Sequence, residues 1–104
     1  MSETQKKKTK FRKSIKWRKF LHYKNVQQNG LCYITHKKLQ KYAALHHADM
    51  NPEHYEDLSN PDNFFYLCKS MHDVVHALWR YYEKDPDVLT RLKEVLDKMK
   101  ELNT

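Results

Sequence analysis

Residues Lys69 to Tyr82 constrain the fold of this chain more than any other stretch. Met71, Val74, Val75, Leu78, Trp79 and Tyr82 recur at i, i+3, i+4, i+7, i+8 and i+11, which predicts one amphipathic helix. At about 100° per residue, His72 and His76 fall together beside that apolar stripe. Two imidazoles one turn apart at the edge of a buried face border the core and must meet another element. The run Tyr42-Ala43-Ala44-Leu45-His46-His47 is the natural candidate. It is β-prone, and with Leu31-Cys32-Tyr33-Ile34 it reads as a hairpin across the polar connection Lys37–Lys41.

The rest of the chain fits around these pieces. A chain of 104 residues allows one domain, and with 39% hydrophobic residues its core is small enough for a bound metal to help stability. Met1 to Lys13 is polar and lysine-rich and should be disordered in isolation. The domain is expected over residues 14–104. Ser14 can cap a helix carrying Ile15, Trp17, Phe20, Leu21 and Val26, which Asn29-Gly30 should end near residue 28. Residues 48–62 are polar, with Asn51-Pro52 and Asn60-Pro61 marking turns and room for a helical turn around Pro52 to Leu58. After Glu83-Lys84-Asp85, Pro86 suits a first helical turn capped by Asp85. Val88, Leu89, Leu92, Val95, Leu96, Met99 and Leu102 then mark a last helix, about 86–102, expected to pack on the domain rather than to dimerise. The fold class that follows is α+β: two strands and a helix at about 31–82, with a helix on each side.

Charge and composition narrow the function. The formal net charge of +7 favours polyanionic partners, nucleic acid before membrane. No long apolar run or signal-like leader occurs, so a cytoplasmic protein is expected. The single glycine, Gly30, rules out phosphate-cradling glycine loops. Cys32 and Cys68 are expected to be reduced thiols or metal ligands rather than a disulfide.

The chemistry is carried by an ordered set. Fifteen residues separate His46-His47 from Asn63, eight separate Asn63 from His72, and three separate His72 from His76. Two i, i+4 histidines can reach one metal ion. A neutral imidazole beside them can take a proton from water near physiological pH. At these residues, and in Asn63-Phe64-Phe65-Tyr66-Leu67-Cys68-Lys69-Ser70-Met71-His72, the chain resembles the HNH (His-Asn-His, ββα-metal) endonucleases over about residues 14–80. The resemblance implies a ββα-metal core and a metal-dependent DNA endonuclease. His46, His72 and His76 would hold a divalent ion (Mg²⁺, Mn²⁺, Ni²⁺ or Zn²⁺), His47 would act as general base, and Asn63 would hold the loop or the base imidazole by hydrogen bonds, or ligate the metal as in some members. His46 and His47 point to opposite faces of a regular strand, so the pair should sit where the strand ends. Small stand-alone members of the family are frequent in bacteriophages and bacteria.

The chain departs from the family at the structural zinc. Many relatives bind it with two Cys-x-x-Cys pairs. Here Cys32 and Cys68 keep the first positions, while Thr35 and Met71 occupy the second. A four-thiolate site is lost, and apolar packing is expected in its place, without structural zinc. A Cys2His2 alternative built from Cys32, His36, Cys68 and His72 would take His72 from the catalytic ion. His22, His36 and His54 are otherwise read as structural or solvated, and Asp49 and Asp73 as surface carboxylates. Lys6, Lys7, Lys8, Lys10, Arg12, Lys13, Lys16, Arg18 and Lys19 supply nine of the twenty basic residues, interleaved with Phe11 and Trp17. They are read as a sequence-independent contact to double-stranded DNA. Competing with the nuclease are a catalytically inactive module of the same fold that binds DNA or a protein, and a zinc-stabilised regulatory protein. A protein partner could supply specificity, and the sequence leaves monomer and homodimer open.

Overall fold

The computed structural model describes residues 3–48 and 57–104. Among them the order is α1 (Glu3–Arg12), α2 (Ile15–Gln27), β1 (Ala44–His47), a 3-10 turn at Pro61–Asn63, β2 (Phe64–Leu67), α3 (Lys69–Tyr82) and α4 (Val88–Leu102). Helices and a two-stranded antiparallel sheet make this an α+β chain. No helix of the described residues is long and apolar enough to cross a membrane. The chain divides into two compact units, one ending at His72 and the other running Asp73–Thr104. The boundary falls inside α3, whose helix is continuous across it.

Segment 1–13, expected to lack regular structure, contains helix α1. Strong helix formers fill it, Glu3 stands in its first turn, and Lys10 and Arg12 stand in its last, in agreement with the helix dipole. Its one aromatic, Phe11, meets Trp17 of α2 at a ring separation of 5.7 Å. Ser14 breaks the two helices apart. It sits in the extended region, and its hydroxyl accepts a hydrogen bond from the Trp17 N–H at 3.2 Å. At the other end Asn29 (φ 56°) and Gly30 (φ 70°) turn left-handed and end α2.

The expected hairpin does not form. β1 pairs with β2, not with residues 31–34, in the register Ala44–Leu67, Leu45–Tyr66, His46–Phe65 and His47–Phe64. Leu31 makes only an isolated bridge to Lys38. Residues 32–37 instead form a tight knuckle. The His36 N–H donates to the Cys32 carbonyl at 2.9 Å, the Cys32 N–H to the Lys37 carbonyl at 2.8 Å, and His36 closes the turn at φ 58°. A run that folds back on itself within six residues leaves few groups for a ladder. Phe64–Leu67, aromatic and flanked by a proline turn, supplies the strand instead.

The core of the first unit lies between α2 and β2. Phe20, Cys32, Phe64 and Leu67 are its buried apolar residues. Phe20 meets Phe64 edge to face at 4.8 Å, and Trp17 meets Phe64 at 6.4 Å. Lys24 of α2 is 4% exposed, and its ammonium donates to the Gln27 side-chain oxygen at 2.6 Å and the Pro61 carbonyl at 3.0 Å. Burial pulls its pKa down, and the nearby Asp62 carboxylate opposes that shift. The suggested helical turn around Pro52 to Leu58 lies largely outside the described residues, as do Asp49 and His54. The last helix begins at Val88, with Asp87 rather than Asp85 at its N-cap position; the Asp85 carboxylate accepts from the Asp87 N–H at 3.2 Å. Leu89, Val95, Leu96, Met99 and Leu102 of α4 are exposed, so this helix does not bury the stripe that its sequence suggested.

Candidate metal centre

Strand β1 ends at His47, and the chain there is tied down from the other strand. The Ala48 N–H donates to the Asn63 carbonyl at 2.6 Å, one step beyond the His47–Phe64 pair. Asn63 itself closes the 3-10 turn, its N–H donating to the Asn60 carbonyl at 3.1 Å. The Lys24 ammonium holds the start of that turn through Pro61. Asn63 is thus placed by its backbone beside the end of β1, where the sequence required the histidine pair to sit.

Alternation along β1 sends His46 and His47 to opposite faces. His46 meets His72 of α3, with ring centroids 5.5 Å apart and planes inclined at 66°. His76 follows His72 by one turn of the same helix. Each of the three half-buried histidines offers one ring nitrogen, and these nitrogens lie within 4.8 Å of one another. Among the described residues no other set of three His, Cys, Asp or Glu side chains comes together in this way. The arrangement joins the sheet to the first turns of α3, where the His72 N–H donates to the Cys68 carbonyl at 2.9 Å.

A tetrahedral ion with metal–nitrogen bonds of roughly 2 Å needs donors roughly 3.3 Å apart. Small rotations of half-buried imidazoles close the gap from 4.8 Å. The donor set is three neutral nitrogens on two elements, and it leaves coordination positions to solvent or substrate. That chemistry suits zinc, nickel and similar borderline ions better than magnesium, which prefers oxygen donors.

His47 lies on the other face, stacked on Phe64 with ring centroids 4.6 Å apart and planes within 7°. The stack fixes the plane of the imidazole while its nitrogens stay at the ring edge, where hydrogen bonds form. Of the nine basic residues read as a DNA contact, Lys6, Lys7, Lys8, Lys10 and Arg12 lie on α1, Lys13 on the link, and Lys16, Arg18 and Lys19 on α2. All but the half-buried Lys8 are exposed.

The two cysteines form a separate feature. Cys32 is 0% exposed and Cys68 half-buried, and both are free thiols. Burial alone would push the Cys32 thiol up. The Thr35 hydroxyl and the backbone N–H groups of Thr35, Cys68 and Ile34 donate to it, outweigh burial, and hold its pKa down at about 6. Thr35 is here a hydrogen-bond donor to the Cys32 sulfur.

Sequence reasoning missed Gln28. Its amide nitrogen donates to the Leu31 carbonyl at 2.8 Å and to the Tyr66 carbonyl at 2.9 Å, while its oxygen accepts from the Tyr66 N–H at 2.9 Å. The side chain thus pairs with β2 as a third strand would. Its position next to the Asn29-Gly30 stop was the one available signal, since a polar residue there can satisfy strand groups left without a partner. No family model matches the chain, and no curated protein or solved structure matches it either.

Proposed function

We propose that the protein is a metal-dependent DNA endonuclease of the ββα-metal (HNH) type. The observation that carries the reading is the convergence of His46, His72 and His76, singled out by their order in the sequence, across a strand and the helix that follows the sheet. The position of Asn63 beside the end of β1 supports it. So does the basic, exposed surface of α1 and α2, which matches a phosphate backbone in charge.

In this reading His46, His72 and His76 would hold a divalent ion, which supplies charge stabilisation for the phosphodiester transition state when bound. His47 accepts a proton from the attacking water through a ring-edge nitrogen, and Phe64 keeps the imidazole in one plane while it does so. Asn63 fixes the strand end that carries His47, through its carbonyl and the Ala48 N–H. The basic residues of α1 and α2 position DNA without reading its bases, so the core cuts with little sequence preference. A protein partner would then supply any specificity.

The opposite orientation of His46 and His47 favours one second reading, a module of the same fold that binds DNA or a protein without cutting it. Cleavage of supercoiled plasmid with Mg²⁺, Mn²⁺, Ni²⁺ or Zn²⁺, with and without EDTA, separates the two. Metal-dependent nicking that disappears in His47→Ala is expected. Intact DNA binding with no nicking by the wild-type protein would establish the binding module instead.

A further inference from the structure

We infer that Cys32 and Cys68 are a redox pair that closes to an intramolecular disulfide by exchange with a low-molecular-weight disulfide such as oxidised glutathione. Two independent sets of contacts bring them together. The Tyr33 N–H donates to the Tyr66 carbonyl at 3.1 Å, which ties the knuckle to β2 beside Cys32 and two residues before Cys68. The backbone N–H of Cys68 donates to the Cys32 sulfur itself. The Cβ of Cys68 is two bonds from that nitrogen, so the two side chains start from neighbouring backbone; a disulfide needs Cα atoms roughly 4.4–6.8 Å apart. The Cys68 sulfur lies 3.4 Å from the Ser70 hydroxyl, and closing the bond would require it to change its χ1 rotamer.

The surroundings divide the work between the two thiols. Cys68 is reachable from solvent and Cys32 is not. The Cys68 thiolate attacks one sulfur of oxidised glutathione and expels a glutathione thiolate, leaving a mixed disulfide. The Cys32 thiolate, stabilised by the hydroxyl and N–H groups around it, attacks the Cys68 sulfur and expels the second glutathione thiolate. Two electrons pass from the cysteine pair to glutathione, and the two thiol protons end on the two glutathione thiols. The bond would staple the 32–37 knuckle to the start of α3, one turn before His72.

The test treats the full chain with oxidised glutathione, then quenches it in acid and maps its cysteines by mass spectrometry. The expected product has a Cys32–Cys68 bond and no attached glutathione. Cys32→Ser is expected to stop at the mixed disulfide on Cys68. Cys68→Ser is expected to leave Cys32 unmodified until urea unfolds the chain, and circular dichroism checks that both variants fold. Stable glutathione on Cys68 of the wild-type protein would overturn the proposal. So would protection of both thiols by stoichiometric zinc that survives His46→Ala and His76→Ala, because the cysteines would then be a metal site.

Discussion

Gln28 shows how one side chain can stand in for a strand. Its three hydrogen bonds satisfy both backbone groups of Tyr66, which face away from β1, and the Leu31 carbonyl after the α2 stop. Removing it takes away the acceptor of the part-buried Tyr66 N–H, while the Tyr66 carbonyl keeps the Tyr33 N–H; an unsatisfied buried group costs more than the bond itself. Gln28→Ala should therefore lose about 1–3 kcal/mol, with urea unfolding as the measurement. Cys32 carries a pH signature. Its thiol ionises at about 6 in the fold against an ordinary value of 9.0. A depressed acid stabilises the fold while it is ionised there and would be protonated in the unfolded chain. That contribution is complete above pH 9 and is lost as pH falls through 6. Unfolding free energies measured between these limits should rise with pH in the wild-type protein, with a shallower slope in Cys32→Ala.

Elements explain why the histidines converge. α3 was legible because its apolar spacing and its two histidines belong to one stretch, and Lys69–Tyr82 is the helix observed. α2 was legible from its caps, Ser14 and the Asn29-Gly30 stop. The partner of β1 was not, because strand pairing depends on residues far apart, and the 31–34 run had the same local propensity as a strand. In the observed pairing His46, on β1, meets His72 of α3. An ion that binds the folded cluster must also stabilise the fold. Ni²⁺ or Zn²⁺ should raise the melting temperature, with a smaller effect from Mg²⁺. His76→Ala should abolish the rise, and His22→Ala should keep it. Thermal unfolding with and without EDTA checks both.

At the scale of the whole molecule, the basic residues form an exposed set on α1, its link and α2, separate in sequence from the histidines. Deleting residues 1–13 should weaken DNA binding and flatten its salt dependence, by roughly 0.9 in log–log slope for each phosphate that the shortened chain no longer neutralises. Fluorescence anisotropy with a DNA duplex across a salt series measures it, and an unchanged slope would assign the segment another role. The sequence by itself determined the local pieces: α2 and α3, the turn signals, the positive surface and the order of His46, His47, Asn63, His72 and His76. These follow from spacing and side-chain type, which act over a few residues. Tertiary structure alone decided that Phe64–Leu67 is the second strand, that Gln28 completes its hydrogen bonding, and that Cys32 lies buried under the Cys68 N–H. Each depends on backbone groups tens of residues apart finding one another, and no local pattern in the chain encodes which group will be left needing a partner.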